Sequence, residues 1–360
     1  MRKNNDIQVL RGIAITLVVM QHCRNRLPTP EAYHHLFDHF AFWSGVDVFF
    51  AISGFLIFQT FSRTLELSSG PVDALTTFAK RRFARLFPAA FFWILASVAL
   101  SLVVTSAPYN DPVKIATSGL AGLFALSNAY YVYYVPDLVA SGNPDFNGVT
   151  WSLSAEWQMY AVLAASILFV GRARAVLLLL LAAVIMSCFD APSWSALWAF
   201  RIQAFALGAL TAALVGSPVI PRLTRTWSIL LLMLGVAGAI WVPANLPQPF
   251  VLPGIAIAAW ACLIAALRGD SFSGALMKPM YWIGERSYSI YLSHLLVILS
   301  VREILTRTGA FDDTTFSSLL GFGAALVGIA VTGHLSYRFI EQRFSRPSQS
   351  LESRVAPQCT

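Results

Sequence analysis

The segment AFWSGVDVFFAISGFLIFQTF, residues 41–61, contains a single ionisable side chain, that of Asp47. A helix needs about 20 mostly apolar residues to cross the hydrocarbon core of a bilayer. This segment therefore predicts a membrane-spanning helix, and similar segments recur along the chain. The predicted spans are 7–23, 41–61, 87–104, 150–170, 175–188, 197–215, 228–241, 250–267, 287–301 and 317–337.

The composition of the chain favours the same fold. Of its 360 residues, 57% are hydrophobic and 12% are charged, whereas about 25% of the residues of a soluble protein are charged. The apolar blocks follow no heptad or short repeat, which excludes coiled coils and repeat proteins. We predict an all-α, polytopic helical bundle of about ten transmembrane helices. Residues 1–344 form its one membrane domain, and residues 345–360 form a short, partly disordered cytoplasmic tail.

The basic residues predict how this bundle lies in the membrane. With both termini in the cytoplasm, 19 of the 25 lysines and arginines fall on the cytoplasmic side, as the positive-inside rule requires. An eleventh span at 115–135 would weaken this asymmetry, so we interpret that segment as re-entrant or interfacial. The net charge of +7 is thus a topology signal and does not indicate nucleic-acid binding. The outward exceptions are Arg24, Arg26, Lys114, Arg201, Arg302 and Arg307.

Ionisable residues inside spans suggest a functional site, because each costs about 2.5–3.5 kcal/mol to insert. His22, Asp47, Glu156 and His294 are such residues. Arg11 and His22 share one helix face, about 16 Å apart along the axis. Structural alternatives remain open, namely a snorkelling arginine with an interfacial histidine, a helix N-terminal aspartate, and a hydrogen-bonded core His294.

Two polar stripes and one basic run extend this set. Ser152 and Tyr160 lie four residues either side of Glu156, on one helix face, and Tyr291 shares a face with His294. The scattered cysteines form no CxxC pair, so we predict no metal site.

The basic run KRRFARLFP, residues 80–88, is interpreted as a cytoplasmic loop. Topology or anionic lipid explains most such runs. The alternative is a phosphate clamp, because Arg82 and Arg85 project from one side of a helix and guanidinium groups match phosphate geometry.

Together these motifs resemble the acyltransferase 3 family of integral membrane acyltransferases over residues 7–344. Leu295 and Arg343 stand where members of that family often carry proline. The matching motifs, in family order, are LRGIA (10–14) with Val18 and His22, GVDVFFAISGF (45–55), RFARLFP (82–88), WSLSAE (151–156) with Tyr160, SYSIYLSH (287–294) and SYRFIE (336–341).

The resemblance implies a bacterial inner-membrane O-acyltransferase. It would move an acyl group, most commonly acetyl, from cytoplasmic acyl-CoA to a hydroxyl of an envelope or secreted glycan, such as exopolysaccharide or lipopolysaccharide. Acetyl-CoA is then a substrate, and no cofactor is bound permanently. A glycolipid transporter or flippase is the alternative, although no internal repeat supports it. The predicted residues are His22, Asp47 and Glu156 for catalysis, Arg11, Arg82 and Arg85 for the donor, and Ser152, Tyr160, Tyr291 and His294 for substrate.

Overall fold

The computed structural model describes residues 4–107, 110–135, 145–220, 223–312 and 314–345. Within these ranges the regular structure is helical, which confirms the predicted all-α class. The predicted tail lies outside the described residues from 346 onward.

The described residues form the following helices in chain order. They are α1 (Asn5–Cys23), α2 (Glu31–His39), α3 (Gly45–Leu67), α4 (Pro71–Ser101), α5 (Pro112–Leu123), α6 (Ser127–Tyr133), α7 (Thr150–Val170), α8 (Arg172–Met186), α9 (Ala196–Ala199), α10 (Gln203–Leu214), α11 (Arg225–Asn245), α12 (Val251–Ala265), α13 (Lys278–Glu285), α14 (Ser287–Arg307), α15 (Thr315–Ser336), a π-helical turn (Tyr337–Glu341) and α16 (Gln342–Ser345).

Each of the ten predicted spans overlaps one of these helices. Seven candidate spans in the described part of the chain are long and apolar enough to cross a bilayer. Their outward-facing apolar side chains, such as Phe169 and Leu234, are exposed. Such faces suit a lipid solvent, and the chain is an integral membrane protein. The count of ten and the cytoplasmic termini stay predictions.

The basic run at 80–88 corrects one expectation. It is part of the 31-residue helix α4 and is not a loop. Lysine, arginine, alanine and leucine favour helix, and Pro88 is accommodated inside α4, as proline is in other membrane helices. Arg82 and Arg85 therefore have the helical spacing that the clamp hypothesis requires.

Close backbone contacts fix the helices that carry the polar residues. A Cβ atom on Gly54 of α3 would lie 2.0 Å from the carbonyl oxygen of Phe205, and one on Gly208 of α10 would lie 2.0 Å from that of Ala51. Small residues let membrane helices approach in this way. The N-terminal end of α1 is held by Asp6, whose buried carboxylate accepts three backbone N–H groups of the α12–α13 loop.

The segment 115–135 is divided by a turn at residues 124–126, where Ala125 has φ +57°. The following helix, α6, packs on α7. The Ser127 hydroxyl bonds that of Thr150 at 2.6 Å, and the Ser127 N–H donates to Ser154. The interruption expected at Ser127 is thus present, while its depth in the membrane stays a prediction.

Candidate active site

A cavity with both charged and apolar lining residues opens among α1, α3, α4, α7 and α14. Its empty volume is about 810 Å³, including the solvent at its mouth. Seven of the ten predicted site residues line it. The lining residues are Arg11, Val46, Phe49, Phe50, Ile52, Ser53, Leu56, Ile57, Arg82, Arg85, Leu86, Ser152, Leu153, Glu156, Tyr160, Ser287, Tyr288 and Tyr291.

Glu156 organises one wall of the cavity. Its Oε1 atom accepts short hydrogen bonds from the hydroxyls of Ser53 and Tyr160. The Arg82 guanidinium lies 5.7 Å from the centre of the Tyr160 ring, within cation–π range. The helical stripe on α7 predicted the Tyr160 contact. Ser53 was missed as a site residue because it comes from α3, 103 positions earlier in the chain.

Ser152, one helical turn before Glu156 on α7, pairs with Tyr291 of α14. Their hydroxyl oxygens are 2.5 Å apart, and the Tyr291 hydroxyl also lies 3.0 Å from the carbonyl oxygen of Val149. The Ser152 hydroxyl lies 3.4 Å from the same carbonyl oxygen, so either hydroxyl can donate to Val149 while it accepts from the other. This contact lies between the cavity and the histidines, since the Tyr291 and His294 ring centres are 5.8 Å apart.

His22 and His294 form a hydrogen-bonded pair. The Nδ1 atom of His22 lies 3.0 Å from Nε2 of His294. On the other side of the fully buried His294 ring, Nδ1 lies 2.8 Å from the carbonyl oxygen of Tyr291 and 3.1 Å from that of Ile290. Two carbonyls can only accept, so Nδ1 of His294 carries the proton.

This network also assigns the tautomer of His22. Neutral His294 has an unprotonated Nε2, which must accept from Nδ1–H of His22. The Nε2 atom of His22 then carries a lone pair. His22 is partly exposed while His294 is fully buried. His22 thus presents a basic nitrogen, and His294 holds its ring from behind.

Comparison with known proteins places these residues in a family. The family model described as an acyltransferase domain matches residues 4–334. The chain belongs to the acyltransferase 3 family. The family predicted from the motifs is thereby confirmed.

The relatives of this acyltransferase include larger proteins. It is 26% identical to the peptidoglycan O-acetyltransferase OatA of Listeria monocytogenes, over 93% of this chain and 55% of the relative. It is also 26% identical to the O-acetyltransferase OatA of Staphylococcus aureus, over 82% of this chain and 51% of the relative. The chain thus spans about half the length of these relatives. No solved structure matches it.

Asp47 of this acyltransferase lies outside the cavity lining. Its two carboxylate oxygens accept from Nε and an Nη of Arg201 at 2.8 and 3.0 Å. Both side chains are buried, and the rings of Trp43, Phe50, Trp151 and Trp198 surround the guanidinium at 4.3–5.8 Å. Asp47 is also in the first turn of α3, where the helix dipole favours a negative charge, as the structural alternative proposed.

Glu341 is a candidate site residue that the sequence reasoning did not assign. It ends the π-helical turn after α15, is buried, and accepts from the Ser289 hydroxyl at 3.1 Å. Its carboxylate interacts electrostatically with Arg85 and Arg11. π-Helical turns are frequent at functional sites. The motif SYRFIE contained this residue, but its partners lie far away in sequence.

Proposed function

We propose that this acyltransferase moves an acetyl group from acyl-CoA to a hydroxyl of a bacterial cell-envelope glycan at the inner membrane. The observation that carries the proposal is the arginine-lined cavity bounded by Tyr291, whose ring centre lies 5.8 Å from that of His294, the hydrogen-bond partner of His22. The two histidines themselves lie outside the cavity lining. A polyanionic donor and a basic nitrogen are both accommodated by this arrangement.

The positive charge of the cavity supports acyl-CoA as the donor. Arg11, Arg82 and Arg85 line one cavity, and guanidinium groups bind phosphate in forked hydrogen bonds. CoA carries its phosphates at one end and its thioester at the end of a thin pantetheine arm. With the phosphates at the arginines, the arm runs along the cavity towards Tyr291, behind which the histidine pair lies.

The tautomer of His22 supports a role for its Nε2 atom as the general base. Its Nε2 removes the proton of the acceptor hydroxyl while that oxygen attacks the thioester carbonyl. The C–S bond breaks, and the imidazolium returns the proton to the departing CoA thiolate. In the alternative sequence, Nε2 attacks the thioester carbonyl and the C–S bond breaks to release CoA thiolate; the acceptor oxygen then takes the acyl group from the imidazole, and the hydroxyl proton passes to the thiolate. In both, His294 orients His22 by accepting its Nδ1–H.

The relatives support an envelope glycan as the acceptor. The protein from Listeria monocytogenes is named for peptidoglycan, which favours peptidoglycan among the envelope glycans. Exopolysaccharide and lipopolysaccharide stay alternatives of the same chemical class. Ser152, Tyr160 and Tyr291 supply hydroxyls that suit hydrogen bonding to a sugar.

The test uses membranes that contain the full-length protein and acetyl-CoA labelled in the acetyl group. Label should enter a glycan fraction with the wild type, and His22→Ala should reduce the rate by at least about 100-fold, the lower range for loss of a general base. His35→Ala is the matched control, because His35 is exposed on α2 and outside the cavity lining. Near-normal labelling by His22→Ala in correctly folded protein would remove His22 from the mechanism.

A further inference from the structure

Two cations near His22 are not used by the proposed reaction. Arg26 follows α1, and Arg302 lies on α14, with its Nη1 donating to the carbonyl oxygen of Asn25 at 3.1 Å. Both are exceptions to the positive-inside pattern in the predicted topology. The neighbouring Arg307 is different, because Glu303 pairs with it at 2.6 Å.

The turn after α1 directs Arg26 back towards the histidine. Asn25 has φ +61°, a left-handed conformation that asparagine tolerates better than most residues. The chain therefore reverses, and an Nη of Arg26 donates to the carbonyl oxygen of His22 at 3.3 Å. The charge of Arg26 interacts with the rings of both His22 and His294.

Arg26 is buried without a carboxylate. Only 9% of its surface is exposed, and among the ion pairs of the described residues neither it nor Arg302 has an acidic partner. Burial, reinforced by the positive charge of Arg302, lowers the pKa of Arg26 to about 10, so it remains a cation at neutral pH. A buried, unpaired cation is costly unless an anion binds it.

We propose that Arg26 and Arg302 bind an anionic group, a carboxylate or a phosphate, on the acceptor glycan, and so place its hydroxyl beside His22. The inference rests on the proposed function and names its acceptor class, an acidic glycan. Arginine suits this role because its planar fork matches both anions. An anionic lipid headgroup has the same chemistry, so the experiment separates the two sources.

The experiment measures acetyl transfer by the full-length protein in nanodiscs, with labelled acetyl-CoA and matched acceptors. The acceptors are an N-acetylmuramic-acid-containing oligosaccharide and a glucuronate-containing oligosaccharide, each with its carboxyl-reduced form. Nanodiscs are prepared with and without phosphatidylglycerol. The wild type should have a KM about tenfold lower for an acidic acceptor than for its neutral form, within the range of one charge-assisted contact.

The variants separate recognition from structural damage. Arg26→Gln and Arg302→Gln should abolish the preference by raising the KM for the acidic acceptor alone, and Arg26→Lys should restore part of it. Lys114→Gln, an exposed outward cation on α5, is the control that should retain the preference.

Three results would overturn the inference. The wild type could accept acidic and neutral acceptors equally, the variants could lower kcat for both acceptors alike, or transfer could depend on phosphatidylglycerol and not on acceptor charge. Failure of the wild type to label any acceptor would instead contradict the proposed function itself.

Discussion

Replacing Asp47 with asparagine should lower the free energy of unfolding of this protein and leave acetyl transfer by the folded protein unchanged. The substitution keeps the shape of the side chain and removes the charge that pairs with Arg201. Removing one partner of a buried ion pair typically costs about 3–5 kcal/mol, because the other charge stays buried and uncompensated. Asparagine keeps one side-chain oxygen that can accept a hydrogen bond from Arg201, so the expected cost lies at the lower end of this range. We expect a net loss of about 3 kcal/mol.

The matched control replaces both partners. The double variant Asp47→Leu, Arg201→Met removes both charges with little change in volume. Exchange of a buried pair for apolar residues is often neutral or stabilising. The double variant should therefore be at least as stable as the wild type, to within about 1 kcal/mol, and clearly more stable than Asp47→Asn.

The assay is reversible unfolding in mixed micelles, followed by tryptophan fluorescence. Trp43, Trp151 and Trp198 surround Arg201 and so report on this region directly. Acetyl transfer is measured on the folded fraction of each variant. If Asp47→Asn keeps wild-type stability but loses transfer, the structural assignment is wrong and the predicted catalytic role of Asp47 stands.

Two further predictions concern the histidine pair and the arginines of the cavity. His294→Ala should lower kcat by about 100-fold or more with little change in the acyl-CoA KM, because the His22 ring loses the partner that fixes its orientation. His34→Ala, on α2 outside the cavity lining, is the control. An unchanged kcat for His294→Ala would refute the tautomer assignment. Arg85→Ala should raise the acyl-CoA KM about tenfold, the effect of a lost charged hydrogen bond, with kcat unchanged. Lys80→Ala is the control and should leave the acyl-CoA KM unchanged. An unchanged acyl-CoA KM for Arg85→Ala would mean that Arg85 serves only to orient the protein in the membrane.

The sequence predicts the helices of this fold better than the contacts between them. Long apolar blocks are a strong signal, and each predicted span overlaps a helix for that reason. The basic run of α4 was misinterpreted as a loop because hydropathy marks where lipid ends, whereas a helix can continue into water. The residue at which a span leaves the membrane and the residue at which its helix ends are therefore different.

The site divides in the same way. Helical spacing predicts the stripe of Ser152, Glu156 and Tyr160 because those residues share one helix. The partners across helices are not predictable from spacing, since Asp47 and Arg201 are 154 positions apart and His22 and His294 are 272 apart. Four polar residues in spans required partners, but one sequence cannot say which residue satisfies which.

The two cationic regions explain why the proposed reaction can use a neutral histidine pair. CoA is a polyanion and an acidic glycan is an anion. Their mutual repulsion would oppose a close approach of thioester and hydroxyl. In the two proposals, Arg11, Arg82 and Arg85 would neutralise the donor from the cavity, and Arg26 and Arg302 would neutralise the acceptor. The charges are thereby compensated away from the reacting atoms. His22 then has only a proton to manage, which a neutral imidazole with one free nitrogen can do.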